Sequence, residues 1–198
     1  FSAAPPFSDR RVLRLVPPGP RLSARPLRSL PPHRDSWGSN LPAQVNLWAP
    51  VYPLAAERTL LLYPGYWERP IANTTPEWNL DKLLAARARG ESYPQLPVAT
   101  QEPEPEAALP CLIAPGELLC FSGAQLHASA INASDKIRFS LETRVVSLDD
   151  LAAGRGAPNV DGHSGVVAHR WFARVADDAG LDSVIGEDER AQPEGGRR

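Results

Sequence analysis

The chain has 198 residues, 42% hydrophobic and 22% charged, which is ordinary globular composition and enough for one domain with its own core. A net charge of −2 and a pI near 6.1 argue against a dedicated nucleic-acid or membrane-surface binder. No run approaches the ~20 apolar residues of a membrane span, and no charged-then-apolar leader pattern opens the chain. A soluble, cytoplasmic protein acting on a small molecule is the expectation, with oligomeric state left open. The chain begins at Phe1 and contains no Met, as expected of a sequence lacking residues at its start or in its interior.

From residue 1 to 32 prolines are dense (Pro5, Pro6, Pro17, Pro18, Pro20, Pro26, Pro31, Pro32), which excludes long helices and leaves residues 11–16 as a strand. The same stretch carries Arg10, Arg11, Arg14, Arg21, Arg25, Arg28 and Arg34 against only Asp9 and Asp35. This is either a solvated basic face or a contact for an anionic substrate group. Next comes Pro31-Pro32-His33-Arg34-Asp35-Ser36-Trp37. If the run is extended, His33 and Asp35 point to one face, because side chains alternate along a strand.

Residues 44–48 also alternate, with Gln44, Asn46 and Trp48 on one side and Val45 and Leu47 on the other. These three line a pocket or form one wet face of an ordinary strand. Residues 59–63 form a short apolar strand stopped by the turn pair Pro64-Gly65. A helix is then predicted, with Thr75 as cap, Pro76 at its first position, Glu77 near its N-terminus and Gly90 as its stop. The proline-rich, acidic segment 94–110 reads as an exposed loop, either solvated or covering a site mouth.

Pro115-Gly116 is a turn leading into a strand at 117–121. Cys111 and Cys120 are too few for a disulfide framework and are expected as buried thiols. A longer strand at 136–146 sets Arg138, Ser140, Glu142 and Arg144 on one face and Ile137, Phe139, Leu141 and Val145 on the other. Glu142 and Arg144 suggest an ion pair, or Arg144 a substrate contact. Residues 168–179 are predicted as a helix and 186–198 as a frayed tail, so the domain is drawn over 1–185.

Short strands with Pro-Gly turns and few helices indicate an all-β core, an antiparallel barrel or jelly roll. Such a fold brings distant strands together, so a third ligand, His127, can meet His33 and Asp35. A His-X-Asp alone is weak, since roughly one sequence in five of this composition contains it by chance. Two His and one carboxylate suit non-haem Fe(II), which keeps three adjacent positions open, and also catalytic zinc. Arg138 and Ser140, a guanidinium and a hydroxyl on one face, offer a carboxylate clamp, which tilts the choice to iron with a dicarboxylate cosubstrate. Against this stand plainer readings: His33 and Asp35 as a surface pair, and His127 as a satisfied core histidine. Tyr66, Trp67, Trp37 and Trp78 are pocket walls or core, and Ser129 and Asn132 either orient His127 or end a strand.

The stretch from Pro115-Gly116-Glu117 through His127 to Ser134, followed by Arg138-Phe139-Ser140, resembles the distal half of the Fe(II)/2-oxoglutarate oxygenases, especially the phytanoyl-CoA dioxygenase-like branch. Trp48 followed by Leu60-Leu61-Leu62-Tyr63-Pro64-Gly65 is similar to that branch's Trp and strand-Pro-Gly pattern, so the likeness covers residues 31–146. The resemblance implies a double-stranded β-helix with iron on His33, Asp35 and His127, and Arg138 with Ser140 on the distal carboxylate of 2-oxoglutarate. Gln44 and Asn46 are further candidates for the cosubstrate pocket. It implies O2-dependent hydroxylation of a small molecule with release of succinate and CO2. Radical halogenases resembling this group lack the carboxylate, so Asp35 favours hydroxylation. Two features depart from the pattern: only 32 residues precede His33 where members carry a helical region, and Tyr66-Trp67 stands where the branch often has Ser-His. The competing classes are a cupin-type metal enzyme that does not use 2-oxoglutarate and a non-catalytic jelly-roll binding protein.

Overall fold

Alternation of side chains decides the longest strands. In β3 (Val45–Pro50) Asn46, Trp48 and Pro50 are buried while Val45, Leu47 and Ala49 are half-buried, and β8 (Arg138–Val146) buries Arg138 and Ser140 with Leu141 exposed between them and Glu142. The computed structural model describes residues 6–19 and 29–185. Arg21, Arg25, Arg28 and the expected tail at 186–198 lie outside the described residues, so the early basic run is seen only in part.

Nine strands among the described residues form two antiparallel sheets. The larger runs β6 (Leu119–Ser122), β3, β8, β1 (Phe7–Ser8) and β9 (Ala173–Arg174), and β2 (Val12–Val16) also pairs with β8. Its register sets Asn46 opposite Arg144, Trp48 opposite Glu142 and Arg14 opposite Ser140. The smaller sheet runs β5 (Leu109–Pro110), β4 (Leu60–Leu62) and β7 (His127–Ser129), with Leu62 opposite His127. Trp48 of the larger sheet, Leu60 of the smaller and Cys111 share one buried cluster, so the inner faces of the two sheets meet there.

Short helices accompany the sheets. α1 (Asp35–Ser39) ends at Asn40 in the left-handed region (φ 52°), and α3 (Leu148–Ala152) is capped by the Ser147 hydroxyl, which accepts from Asp150 N. α2 (Leu80–Arg89) buries Leu80, Leu83 and Ala86 and stops at Gly90, whose φ of 69° suits glycine, as the sequence predicts. Its start differs from the expectation. Asn79, not Thr75, is the cap, its Oδ1 accepting from Lys82 N at 3.0 Å. Thr75 is held in a local turn because its N–H and hydroxyl both donate to Asn73 Oδ1 (3.0 and 2.6 Å).

Two further expectations are corrected. Residues 168–179 do not form a helix: one 3₁₀ turn, His169–Trp171, leads into β9, whose Arg174 pairs with Phe7. Phe172 is buried with Phe7, Leu41, Val146 and Leu181, so sheet pairing and burial outweigh local helix preference. Cys111 is buried, which pushes its thiol up to about 11, but Cys120 is exposed. Cys120 sits opposite Leu47 on β6, and Phe121 beside it takes the inward face instead.

Candidate metal centre

The site is assembled by backbone first. His33 N–H donates to His127 O (2.9 Å) and His127 N–H to His33 O (3.0 Å), so an isolated antiparallel bridge ties the His33-Arg34-Asp35 run to β7. Pro32 favours extended backbone before it, and Arg34 is itself extended (φ −112°, ψ 134°). The extended run ends there: Asp35 is the first residue of α1, not a continuing strand. One extended residue between them is enough to bring His33 and Asp35 to the same side. Atoms of His33, Asp35 and His127 able to ligate a metal ion all lie within 4.8 Å of one another, with His33 Nε2 3.4 Å from Asp35 Oδ1.

The ring orientations are fixed from behind. His33 Nδ1 faces Pro31 O at 2.7 Å and His127 Nδ1 faces Gln125 O at 2.9 Å. A carbonyl only accepts, so each Nδ1 carries the proton and each Nε2 keeps its lone pair for the centre. Burial, with His33 alongside, lowers the His127 pKa to about 4. Burial alone raises a carboxyl, yet the Arg144 guanidinium beside it holds Asp35 well below the usual carboxylate range. A deprotonated imidazole and a carboxylate therefore face the same point at neutral pH, the state in which such groups bind a cation.

A recess adjoins these residues between the two sheets. β3 contributes Asn46 and Trp48, β8 Glu142, β6 Phe121, β4 Leu60 and β7 Ser129. Gln44 Nε2 donates to Asn46 Oδ1 at 2.8 Å, which aims the Asn46 amide, and Asn46 Nδ2, Trp48 Nε1 and Arg138 Nε are buried donors without a partner. Arg138 lies just behind Ser129: its NH1 donates to Thr59 O (2.9 Å) and its NH2 to Ser129 Oγ (3.0 Å), while burial lowers its pKa to about 10. Ser129, rather than Ser140, is the hydroxyl on Arg138. Ser140 Oγ lies 3.3 Å from Glu142 Oε1, to which it donates.

Glu142 and Arg144 do not pair with each other as expected. Register puts Glu142 within reach of β2, where Arg14 Nε donates to its Oε1 at 2.6 Å. Arg144 instead bridges Asp9 and Asp35, at 2.8 Å to each. Of the aromatics read as pocket walls or core, Trp37, Tyr66 and Trp78 are core residues, and Trp67 is half-buried away from the recess. Trp48 and Phe121 line it instead. Asn132 donates to Val16 O and Lys136 O and so organises a turn rather than His127. His163 is exposed and His169 half-buried, both outside the cluster.

Sequence reasoning missed the support beneath the centre. Arg34 points away from His33 and Asp35 and is 3% exposed, donating to Ala124 O, Tyr66 O and Arg69 O and pairing with buried Asp161 at 3.1 Å. Asp161 also accepts from Trp37 Nε1 and Ile71 N. Alternation across the motif was the available signal for Arg34, but nothing near Asp161 announces it. A wider groove shares His33, Asp35, Arg14 and Arg144 with the recess and is walled by Arg87, Gln95, Leu96 and Trp171. Segment 94–110 thus reaches the groove through Gln95 and Leu96.

Fold and site together define an antiparallel, mostly β protein carrying a buried His-X-Asp and distant His cluster beside a recess. No protein-family model matches the chain, and no curated protein matches it. Among solved structures it is similar to EvdO2 from Micromonospora carbonacea var. aurantiaca complexed with 2-oxoglutarate (20% identity, 87% of this chain, 54% of that one, TM-score 0.46). It is also similar to the epimerase SnoN in complex with Fe3+, alpha ketoglutarate and nogalamycin RO (14% identity, 72% and 50%, TM-score 0.48). A third is the non-heme monooxygenase ThoJ, in its apo form (13% identity, 94% and 64%, TM-score 0.49). The chain spans about half the length of EvdO2. Among the described residues no helix is long and apolar enough to cross a membrane.

Proposed function

We propose that the chain is the jelly-roll domain of an Fe(II)- and 2-oxoglutarate-dependent oxygenase that hydroxylates a small molecule. The observation that carries this reading is the convergence of His33, Asp35 and His127 beside a recess with unpartnered buried donors. In this reading His33 Nε2, Asp35 and His127 Nε2 hold the ion, a donor set suited to Fe(II) with adjacent open positions. Bound iron supplies the activation of O2 that the side chains cannot perform, coupled to conversion of 2-oxoglutarate to succinate and CO2.

The chain's own residues bind and orient. Asn46 Nδ2 and Trp48 Nε1 are donors with no protein acceptor, as a recess for carboxylate oxygens requires. Arg138 supplies the cation for the distal carboxylate, with Ser140 on the same strand face and Ser129 between Arg138 and the recess. Gln44 acts through Asn46. The apolar walls Leu60 and Phe121 limit water around the reacting groups.

Glu142 favours a second reading. Its carboxylate faces the same recess, where a dianion meets repulsion unless Arg14 and Arg138 offset it. A metal enzyme with a different cosubstrate fits that charge. Anaerobic addition of Fe(II) and 2-oxoglutarate separates the two: the leading reading expects a visible charge-transfer absorption. Saturable Fe(II) binding without that absorption would establish the second reading, and no saturable Fe(II) binding at all would establish a non-catalytic domain.

A further inference from the structure

Asp35 is held by a device that the ligand set does not require. Arg144 Nε donates to Asp35 Oδ2 at 2.8 Å, while Asp35 Oδ1 faces His33 Nε2. Arg144 is itself clamped at its far side. Its NH1 donates to Asp9 Oδ2 (2.8 Å), its backbone N–H to Asp9 Oδ1 (2.7 Å), and Asp9 N–H donates back to Arg144 O (3.0 Å). Thr143 Oγ1 adds a bond to Asp9 Oδ1 at 3.1 Å. Asp9 alone suffices to tie its segment to β8, so the contact with Asp35 on α1 is a separate connection.

We infer that Arg144, locked by Asp9, is a positioning residue that occupies Asp35 Oδ2 and leaves Oδ1 as the one carboxylate oxygen facing the cation. The inference rests on the metal site proposed above. A carboxylate with both oxygens free can take two positions on an ion, whereas one with an oxygen engaged takes a single position and leaves another for an exogenous ligand. Arg144 also keeps Asp35 ionised, with Asp9 offsetting part of its charge, and the role inferred here is the orientation of the carboxylate. The flat guanidinium fork reaches both carboxylates at once, which an ammonium does not reproduce.

The test uses Co(II) as probe on the full chain, without cosubstrate, following visible absorption and affinity. Arg144→Gln is expected to weaken Co(II) binding about 10- to 100-fold and to change the absorption envelope. Arg144→Lys should recover the affinity only in part, and Asp9→Asn should shift the spectrum in the same direction as Arg144→Gln. A folded Arg144→Gln protein with wild-type affinity and spectrum overturns the inference, even if its melting temperature falls, because that is the behaviour of a purely structural tie. Should Arg144→Gln fail to fold, an unchanged Asp9→Asn spectrum overturns it. Wild-type protein that binds no Co(II) and no Fe(II) removes the metal site itself and this inference with it, whereas binding that is equal in all variants removes only the positioning role.

Discussion

His33 and His127 exchange two backbone hydrogen bonds and set their rings 4.2 Å apart at 48°. The two candidate ligands are thus joined through main chain, and neither moves without the other. A centre built this way is formed before any cation arrives, which lowers the ordering cost of binding. Side-chain truncation can then remove a donor without undoing the bridge.

From this follows the first expectation. His33→Ala and His127→Ala each eliminate saturable Fe(II) binding in equilibrium dialysis, while circular dichroism stays close to wild type. Saturable binding of wild-type strength in either variant would remove that histidine from the ligand set.

Arg138→Ala deletes the buried cation behind Ser129. A hydrogen bond to a charged group contributes about 1.5–3 kcal/mol, so the 2-oxoglutarate concentration for half-maximal turnover should rise about 10- to 100-fold. Turnover at the normal cosubstrate demand refutes the clamp.

Gly123 packs where a Cβ would stand 2.9 Å from Gln44 Nε2 and 3.1 Å from its Cδ. Gly123→Ala therefore displaces Gln44 and releases Asn46, at an overpacking cost of about 1–3 kcal/mol. Cosubstrate titration should show weaker binding than in wild type, and an unchanged value means the Asn46 amide does not contribute.

Arg34→Met leaves Asp161 as a buried charge without its partner. The expected loss is about 3–5 kcal/mol, read from urea unfolding. A loss below about 1 kcal/mol would show that solvent reaches Asp161 in the native protein.

Acid dependence should follow Glu142. Burial opposes its ionisation, but Arg14, then Arg144 and Arg138, hold its pKa below the ordinary 4.5. A depressed carboxyl stabilises the fold above the unfolded-state pKa and loses that contribution as pH falls through the folded value. Urea midpoints of wild type should drop below pH 4.5 more steeply than those of Glu142→Gln; parallel curves would dismiss the Arg14 pair as a source of stability.

Much of the arrangement is legible locally. Pro31-Pro32 with one extended residue at Arg34 suffices to align His33 with Asp35, although the run then becomes α1 rather than strand. Alternation along β3 and β8 assigns Asn46, Trp48, Glu142 and Arg144 to the recess side, because the two-residue period of a strand is a property of neighbouring peptide units. Glycine conformation likewise ends α2 at Gly90.

What side chains on that face do with one another was decided elsewhere. Register between β2 and β8 gives Glu142 to Arg14, leaving Arg144 to Asp9 and Asp35, and β9 joins β1 where local preference favours a helix. Arg34 finds Asp161 across 127 positions. Turn chemistry and alternation act over a few residues and can be read from them, whereas the choice among several possible charge partners depends on which strands lie side by side. The sequence alone therefore determined the donors this protein carries and the face they occupy; only the tertiary structure decided which are tied to each other and which are left turned toward the centre.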